Sequence, residues 1–208
     1  VSGVTLRSGD ELDADLVMMA IGVRPNVQPV EGSSVQVDRG ILVDEHMQTS
    51  VEGVYAAGDV AQAPGLLAEE PQTLAILPDA YRQGSVAGAN MADGDEEYGG
   101  GLPMNSVDVF GLPTISVGET DPDDEDAEIL TVRDEDERVY KKLVLREDVI
   151  VGAIFIGDIE RAGIYTGLIR RGVDVSDYRD ALLSEGFGLL SLPAEYRKHV
   201  VSGLGMEV

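Results

Sequence analysis

The chain has 208 residues and a hydrophobic content of 43%, enough for a buried core in one large domain or two small ones. Its 39 acidic residues against 15 basic give a formal net charge of −24, the wrong sign for polyanionic partners such as nucleic acid or an anionic membrane. With no cysteine, disulfide scaffolding, zinc–thiolate sites and thiol nucleophiles are excluded, so any redox chemistry must rest on a bound cofactor.

The acidic residues are spread along the whole chain and lysine occurs three times, a distribution expected of a protein from a high-salt cytoplasm rather than of a local docking patch. No run approaches the roughly 18 uncharged apolar residues of a membrane helix. No charged-then-apolar leader opens the chain, so a cytoplasmic protein is expected. The chain opens at Val1, without an initiator methionine and in what reads as mid-domain sequence, so it is expected to be part of a longer polypeptide. His46 and His199 stand apart with no metal-like spacing, and surface or packing roles are expected for both; no metal site is expected.

Taken in order, residues 1 to about 24 read as a hairpin fragment. Val4-Thr5-Leu6 leads into a Ser8-Gly9-Asp10 turn, and Ala14 to Ile21 reads as a buried apolar strand ending at Gly22. A proline-rich crossing follows, Arg24 to Pro29. Residues 25–101 hold short strands at Gly40–Val43 and Val54–Ala57, then a helix from about Leu77 to Ala92. That helix is expected to turn Ala80, Gly84, Ala87 and Gly88 toward a close neighbour, with Gly94 just past its end.

The character changes in residues 102–208. Strand patterns recur at Ser106–Phe110, Thr114–Val117, Ala127–Val132, Val139–Arg146 and Val149–Ile156, the last two flanking a Glu147-Asp148 hairpin turn. Val149–Ile156 is apolar on both faces and is predicted to be a central, doubly covered strand. Helices are predicted over Ile159–Arg171, with Asp158 as N-cap and Gly172 as terminator, and from near Ser176. Strands followed by helices define an α+β unit. The acidic run Asp121–Asp126 matches no cation-ligand loop and reads as a solvated loop.

The strongest chemical signal is GILVDEHMQTSVEGVYAAGDV, residues 40–60. Read physically, Val54–Ala57 delivers Gly58 and Asp59 to the C-terminal edge of an α/β sheet, where ligands of such sheets gather. Gly58 lets the backbone turn sharply, and Asp59 presents a carboxylate able to accept hydrogen bonds from vicinal hydroxyls. Gly-Asp by itself equally describes an ordinary glycine turn with an aspartate N-cap. The full pattern T-S-x-x-x-V-Y-A-A-G-D-V resembles the second FAD fingerprint of the pyridine nucleotide–disulfide oxidoreductases.

Two flanking segments carry the same resemblance. Ala20-Ile21-Gly22-Val23-Arg24-Pro25-Asn26 is similar to the crossing from the NAD(P) domain back to the FAD domain. TLAILPDAYRQGSVAGANMADG is similar to the family helix whose N-terminus faces the flavin ring. LPMNSVDVFGLPTISVGE and YKKLVLREDVIVGAIFIGDIERAGIYTGLIRRGVDVS resemble the C-terminal domain of NADH oxidases, coenzyme A disulfide reductases, nitrite reductase large subunits and rubredoxin reductases, more loosely beyond about Asp174.

The resemblance implies an α/β plus α+β fold: the C-terminal part of a two-dinucleotide-binding flavoprotein followed by an α+β dimerisation domain. Residues 1–24 would close the NAD(P)-binding domain, 25–101 the FAD-binding domain, and 102–208 would form a homodimer interface. It also implies FAD contacts from Gly58, Asp59, Val60, Leu77 and Pro78, and a position for Gly22 near the nicotinamide nucleotide. The implied activity is NAD(P)H oxidation through FAD toward a small-molecule or redox-protein acceptor. No G-x-G-x-x-G occurs, so neither pyrophosphate loop of the family is present and the FAD site is expected to be incomplete. No residue presents itself as a catalytic acid or base. A rival reading, a non-catalytic stand-alone dimerisation or interaction protein derived from the fold, draws on those missing loops.

Overall fold

The structure, a computed structural model, describes residues 1–123, 126–192 and 196. It opens on a short hairpin: β1 (Gly3–Thr5) pairs antiparallel with β2 (Glu11–Asp13), closed by Leu6 N–H to the Asp10 carbonyl at 2.8 Å. The buried strand predicted over Ala14–Ile21 does not form. Leu16, Met18, Met19 and Ile21 are exposed, because no described strand lies alongside to pair with their amides and carbonyls.

In the next stretch β3 (Ile41–Leu42) runs parallel to β4 (Ala61–Gln62). The segment Val54–Ala57, predicted as a strand, joins no ladder and makes a single antiparallel bridge, Gln48 to Tyr55, flanked by the Thr49 N–H bond to the Val54 carbonyl and the Ala56 N–H bond to the Met47 carbonyl. The ladder partner of β3 is reached only after the chain turns at Gly58–Val60. Helix α1 (Leu77–Asn90) follows. Ile41, Val43, Met47, Ala56, Ala61, Ala63, Ala87 and Tyr98 form the small core of this part. Of the four residues predicted to pack closely, Ala87 is buried and Ala80 lies against Gly58, whereas Gly84 and Gly88 look into open space; the buried face runs instead through Asp79, Gln83, Ala87 and Asn90.

The third part is a five-stranded antiparallel sheet, order β5-β6-β9-β8-β7, built from β5 (Met104–Val109), β6 (Leu112–Gly118), β7 (Glu128–Asp134), β8 (Val139–Arg146) and β9 (Val149–Ile156). The predicted strands are all there, because period-2 apolar patterning settles register wherever one face is buried. On that face Val117, Leu143, Leu145, Ile150, Ala153 and Phe155 meet α2 (Ala162–Arg171). Tyr165 of α2 lies between Phe155 and Phe187, with ring centroids 4.8 and 5.6 Å away. β9 is central as expected, but Ile154 and Ile156 on its other face stay partly exposed.

Asp158 does not cap the helix. Its carboxylate accepts from Lys141 Nζ at 2.6 Å, and α2 starts later, after Arg161. Gly172 ends it in the left-handed region, φ 56°, as predicted. The element beginning at Ser176 is a 3-10 helix, Ser176–Ala181, not an α-helix. Part of the Asp121–Asp126 run, and His199, lie outside the described residues; among those described, no group of side chains is arranged to hold a metal.

The β8–β9 turn places Glu147 and Asp148 at φ 46° and 64°. Both central residues of such a turn favour asparagine or glycine, and glutamate carries strain there. Asp148 is held by Arg179, whereas Glu147 is exposed. Glu147→Asn is therefore expected to raise stability by about 0.5–1 kcal/mol, read as an increase in the urea midpoint at unchanged slope.

Candidate functional site

Gly58, at φ 78°, takes a backbone conformation that other residues rarely adopt, and it opens a single 3-10 turn, Gly58–Val60. The turn packs on the first residues of α1: a Cβ on Gly58 would lie 3.5 Å from the Ala80 Cβ. Asp59 sits at the tip of this turn with its carboxylate exposed. Val60 packs back against the small core, and its carbonyl lies against Gly40.

The adjoining end of α1 is open. Ile76, in the N-cap position, has no side chain able to cap, and the structure shows no side-chain cap bond. Leu77 N–H has no partner among the described residues, Pro78 has no N–H, and Asp79 and Ala80 both direct theirs to the Ile76 carbonyl. Such an end attracts negative charge through its free amide and the helix dipole. Leu77 itself is 83% exposed.

Of the residues expected at the site, Gly58, Asp59, Val60, Leu77 and Pro78 are thus brought to one edge. Gly22 is not. It is exposed at φ 85° with open space around it, and no contact joins it to the others among the described residues.

Several residues that shape this edge were missed in the sequence. Gln83 Oε1 accepts the Gly58 N–H at 2.7 Å, and Gln83 Nε2 donates to Tyr98 Oη at 3.4 Å. Tyr98 Oη donates to Asp79 Oδ2 at 2.8 Å. Gln62, buried beneath the turn, accepts the amides of Arg39 and Gly40 and donates to Asp38 and the Pro71 carbonyl. Asn90 bonds the carbonyls of His46 and Glu96. The signal for the α1 residues was present: Asp79, Gln83, Ala87 and Asn90 fall on one helical face, and polar groups at core positions imply partners.

Burial raises the Asp79 carboxyl above its ordinary value, opposed in part by the Tyr98 hydrogen bond and by the charges of Arg82 and Arg170. Burial likewise pushes the Tyr98 phenol upward. Two clefts, of about 510 and 460 Å³, lie elsewhere; neither is lined by Asp59 or Leu77. One is bordered by the Gly111–Pro113 and Glu137–Val139 ends of the sheet, the other by Leu67, Pro103, Glu119 and Arg146.

An exposed carboxylate, an open helix end and an apolar side chain beside them fit part of a flavin: hydroxyls for Asp59, a partly negative ring edge for the helix, ring carbon for Leu77. The architecture is that of an α/β ligand edge followed by an α+β unit. The chain belongs to the pyridine nucleotide-disulphide oxidoreductases: that family's model matches residues 1–84, and the rubredoxin NAD+ reductase C-terminal domain matches residues 103–173.

It is 38% identical over 184 residues to the NADH-dependent phenylglyoxylate dehydrogenase subunit epsilon of Aromatoleum evansii, covering 87% of this chain and 43% of that one. It is 32% identical to the nitrite reductase [NAD(P)H] of Bacillus subtilis, covering 85% of this chain and 21% of the other. The crystal structure of an FAD-dependent pyridine nucleotide-disulphide oxidoreductase from Desulfovibrio vulgaris aligns with a TM-score of 0.68 at 27% identity, over 83% of this chain and 46% of that one. The chain therefore spans less than half the length of these relatives.

Because the folded Asp79 carboxyl titrates above the ordinary 3.8, its contribution to stability is full below that value and is lost as pH rises through the folded value. Asp79→Asn keeps an acceptor for Tyr98 and removes the buried charge. It is expected to exceed the wild type in stability by on the order of 1 kcal/mol near neutral pH. The margin should shrink as pH falls toward about 4, which paired denaturant titrations at both pH values would measure.

Proposed function

We propose that this chain is the C-terminal half of an FAD-dependent NAD(P)H oxidoreductase. The observation that carries the reading is the adjacency of the exposed Asp59 carboxylate and the open N-terminus of α1. FAD, when bound, supplies the ring system that accepts hydride from NAD(P)H and passes electrons onward. The residues here bind and orient. Asp59 accepts hydrogen bonds from ribityl hydroxyls, with Gly58 and Val60 shaping the turn. Leu77 N–H and the α1 dipole stabilise negative charge at the pyrimidine edge of the flavin. Leu77 and Pro78 cover that edge against water. Gly22 would approach the nicotinamide nucleotide once strand pairing is supplied to residues 14–21.

Residues 102–208 form a homodimer interface, the acceptor is a small molecule or redox protein, and the protein works in a cytoplasm of high salt. No described helix is long and apolar enough to cross a membrane. The apolar surface available for a subunit contact includes Val107, Val109 and Phe110 at the edge of the sheet.

In the full-length flavoprotein, Asp59→Ala is expected to weaken FAD about ten- to a hundredfold, the loss of a charge-assisted hydrogen bond. Titration of the apo-protein with FAD measures it, and an unchanged dissociation constant would remove Asp59 from the site. The distributed −24 charge makes a second test available, since self-repulsion opposes the folded state unless counterions screen it. The thermal midpoint is expected to climb steadily from low to molar KCl; a flat profile would contradict the high-salt assignment.

A further inference from the structure

Helix α1 turns three polar side chains inward, and two of them, Asp79 and Gln83, are each 1% exposed. They lie one turn apart at the end that meets Gly58–Val60. The bonds among them run in one direction. A peptide N–H can only donate, so the Gly58 amide requires an acceptor and takes Gln83 Oε1 at 2.7 Å. That orients the Gln83 amide, whose Nε2 then faces Tyr98 Oη at 3.4 Å. With its oxygen facing a donor, Tyr98 directs its own proton to Asp79 Oδ2 at 2.8 Å. The series ends on a carboxylate, which accepts without having to donate.

An apolar contact would hold a helix against a turn without burying any of these groups. What the polar series adds is direction. It grips one peptide N–H, that of the left-handed glycine immediately before Asp59. Gly101 makes room for it: a Cβ there would lie 2.8 Å from Asp79 Oδ2 and 3.0 Å from Tyr98 Oη.

We propose that Gln83 is the positioning residue of the flavin site, fixing through the Gly58 amide the peptide that presents Asp59, with Tyr98 and Asp79 holding the Gln83 amide in the orientation this requires. The inference rests on the reading of Asp59 as a flavin contact.

Gln83→Glu separates positioning from packing, because it keeps the shape and changes only the donors. Protonated, the introduced carboxyl can accept from Gly58 and donate to Tyr98 as glutamine does. Ionised, it has no proton for Tyr98, and two carboxylates compete for one hydroxyl. The other charged groups around the series are Arg82 on α1 and Arg170 on α2. Asp79 titrates in both proteins, so the variant is compared with wild type at each pH.

The experiment reads solvent exchange of the Gly58 amide by nuclear magnetic resonance in the 208-residue chain, and the FAD dissociation constant in the full-length flavoprotein. Gln83→Ala is expected to speed Gly58 exchange about tenfold or more and to weaken FAD about tenfold, leaving Val144 and Leu145 protected in the sheet. Gln83→Glu should match wild type at acid pH and approach Gln83→Ala as pH rises. Persistent Gly58 protection in Gln83→Ala overturns the proposal. So does faster exchange with unchanged FAD affinity where Asp59→Ala does weaken FAD. Should Gln83→Ala lose sheet protection as well, the pH profile of Gln83→Glu decides, and a profile parallel to wild type overturns it. If Asp59→Ala itself leaves FAD affinity unchanged, the flavin reading of the site fails first and this inference falls with it.

Discussion

A left-handed glycine directs its amide into the protein, and a buried N–H without an acceptor costs about 1–3 kcal/mol. At Gly58 that acceptor is a side chain rather than a neighbouring strand, and most of the surrounding arrangement follows from this. Gln83 must sit one turn beyond Asp79 in α1 and face inward. The helix is thereby set in both rotation and height, so its first residues stand beside Asp59. Tyr98 and Asp79 follow in turn, because a buried amide with an unmatched N–H₂ would repeat the same penalty at the next position.

The two halves of the molecule are held by different physics. Residues 103–192 bury Leu143, Leu145, Ile150, Phe155, Tyr165 and Phe187 in contacts that are strong but indifferent to direction. Ion pairs staple the periphery: Lys141 to Asp158, Arg146 to Glu119, and Arg179 to both Glu128 and Asp148. Within residues 25–101 no arginine or lysine is paired with a carboxylate among the described residues. A chain so short of cations fastens this part with neutral amides instead: Gln62, Gln83 and Asn90 each bridge backbone that is distant in sequence. Hydrogen bonds of this kind are worth little net, but they are directional, and they fix the turn that carries Asp59.

How legible each part was in the sequence follows the same division. The five strands of the sheet could be read because alternation has a period of two and one face is buried. The end of α2 could be read because Gly172 supplies the left-handed C-cap. Ala14–Ile21 was misread for a reason that patterning cannot see: a near-continuous apolar run shows a strand is possible, but pairing needs another backbone. Val54–Ala57 failed similarly, since two-residue ladders carry no periodic signal. The fingerprint located Asp59 and the start of α1, but the small residues gave only half of the packing face, Ala80 and Ala87. Gly84 and Gly88 are exposed, and the helix is held where Gln83 and Asn90 point.

The two ends of α1 are satisfied to different degrees. At the C-terminal end, Met91 N–H reaches Ala87, Gly94 N–H reaches Ala89, and Asn90 closes on His46 and Glu96 from both its donor and acceptor atoms. At the N-terminal end, Ile76 offers no cap and Leu77 N–H is left without a protein partner among the described residues. Helices usually satisfy their first turn with serine, threonine or aspartate, so a bare first turn costs stability unless something else fills it. Asp79 stands in that first turn, where a carboxylate suits the dipole, yet it is turned inward to Tyr98 and leaves the open end uncovered. Directing that carboxylate away from the helix end, with the exposed Asp59 turn packed beside it, leaves an edge at which the Leu77 N–H lacks a protein partner among the described residues.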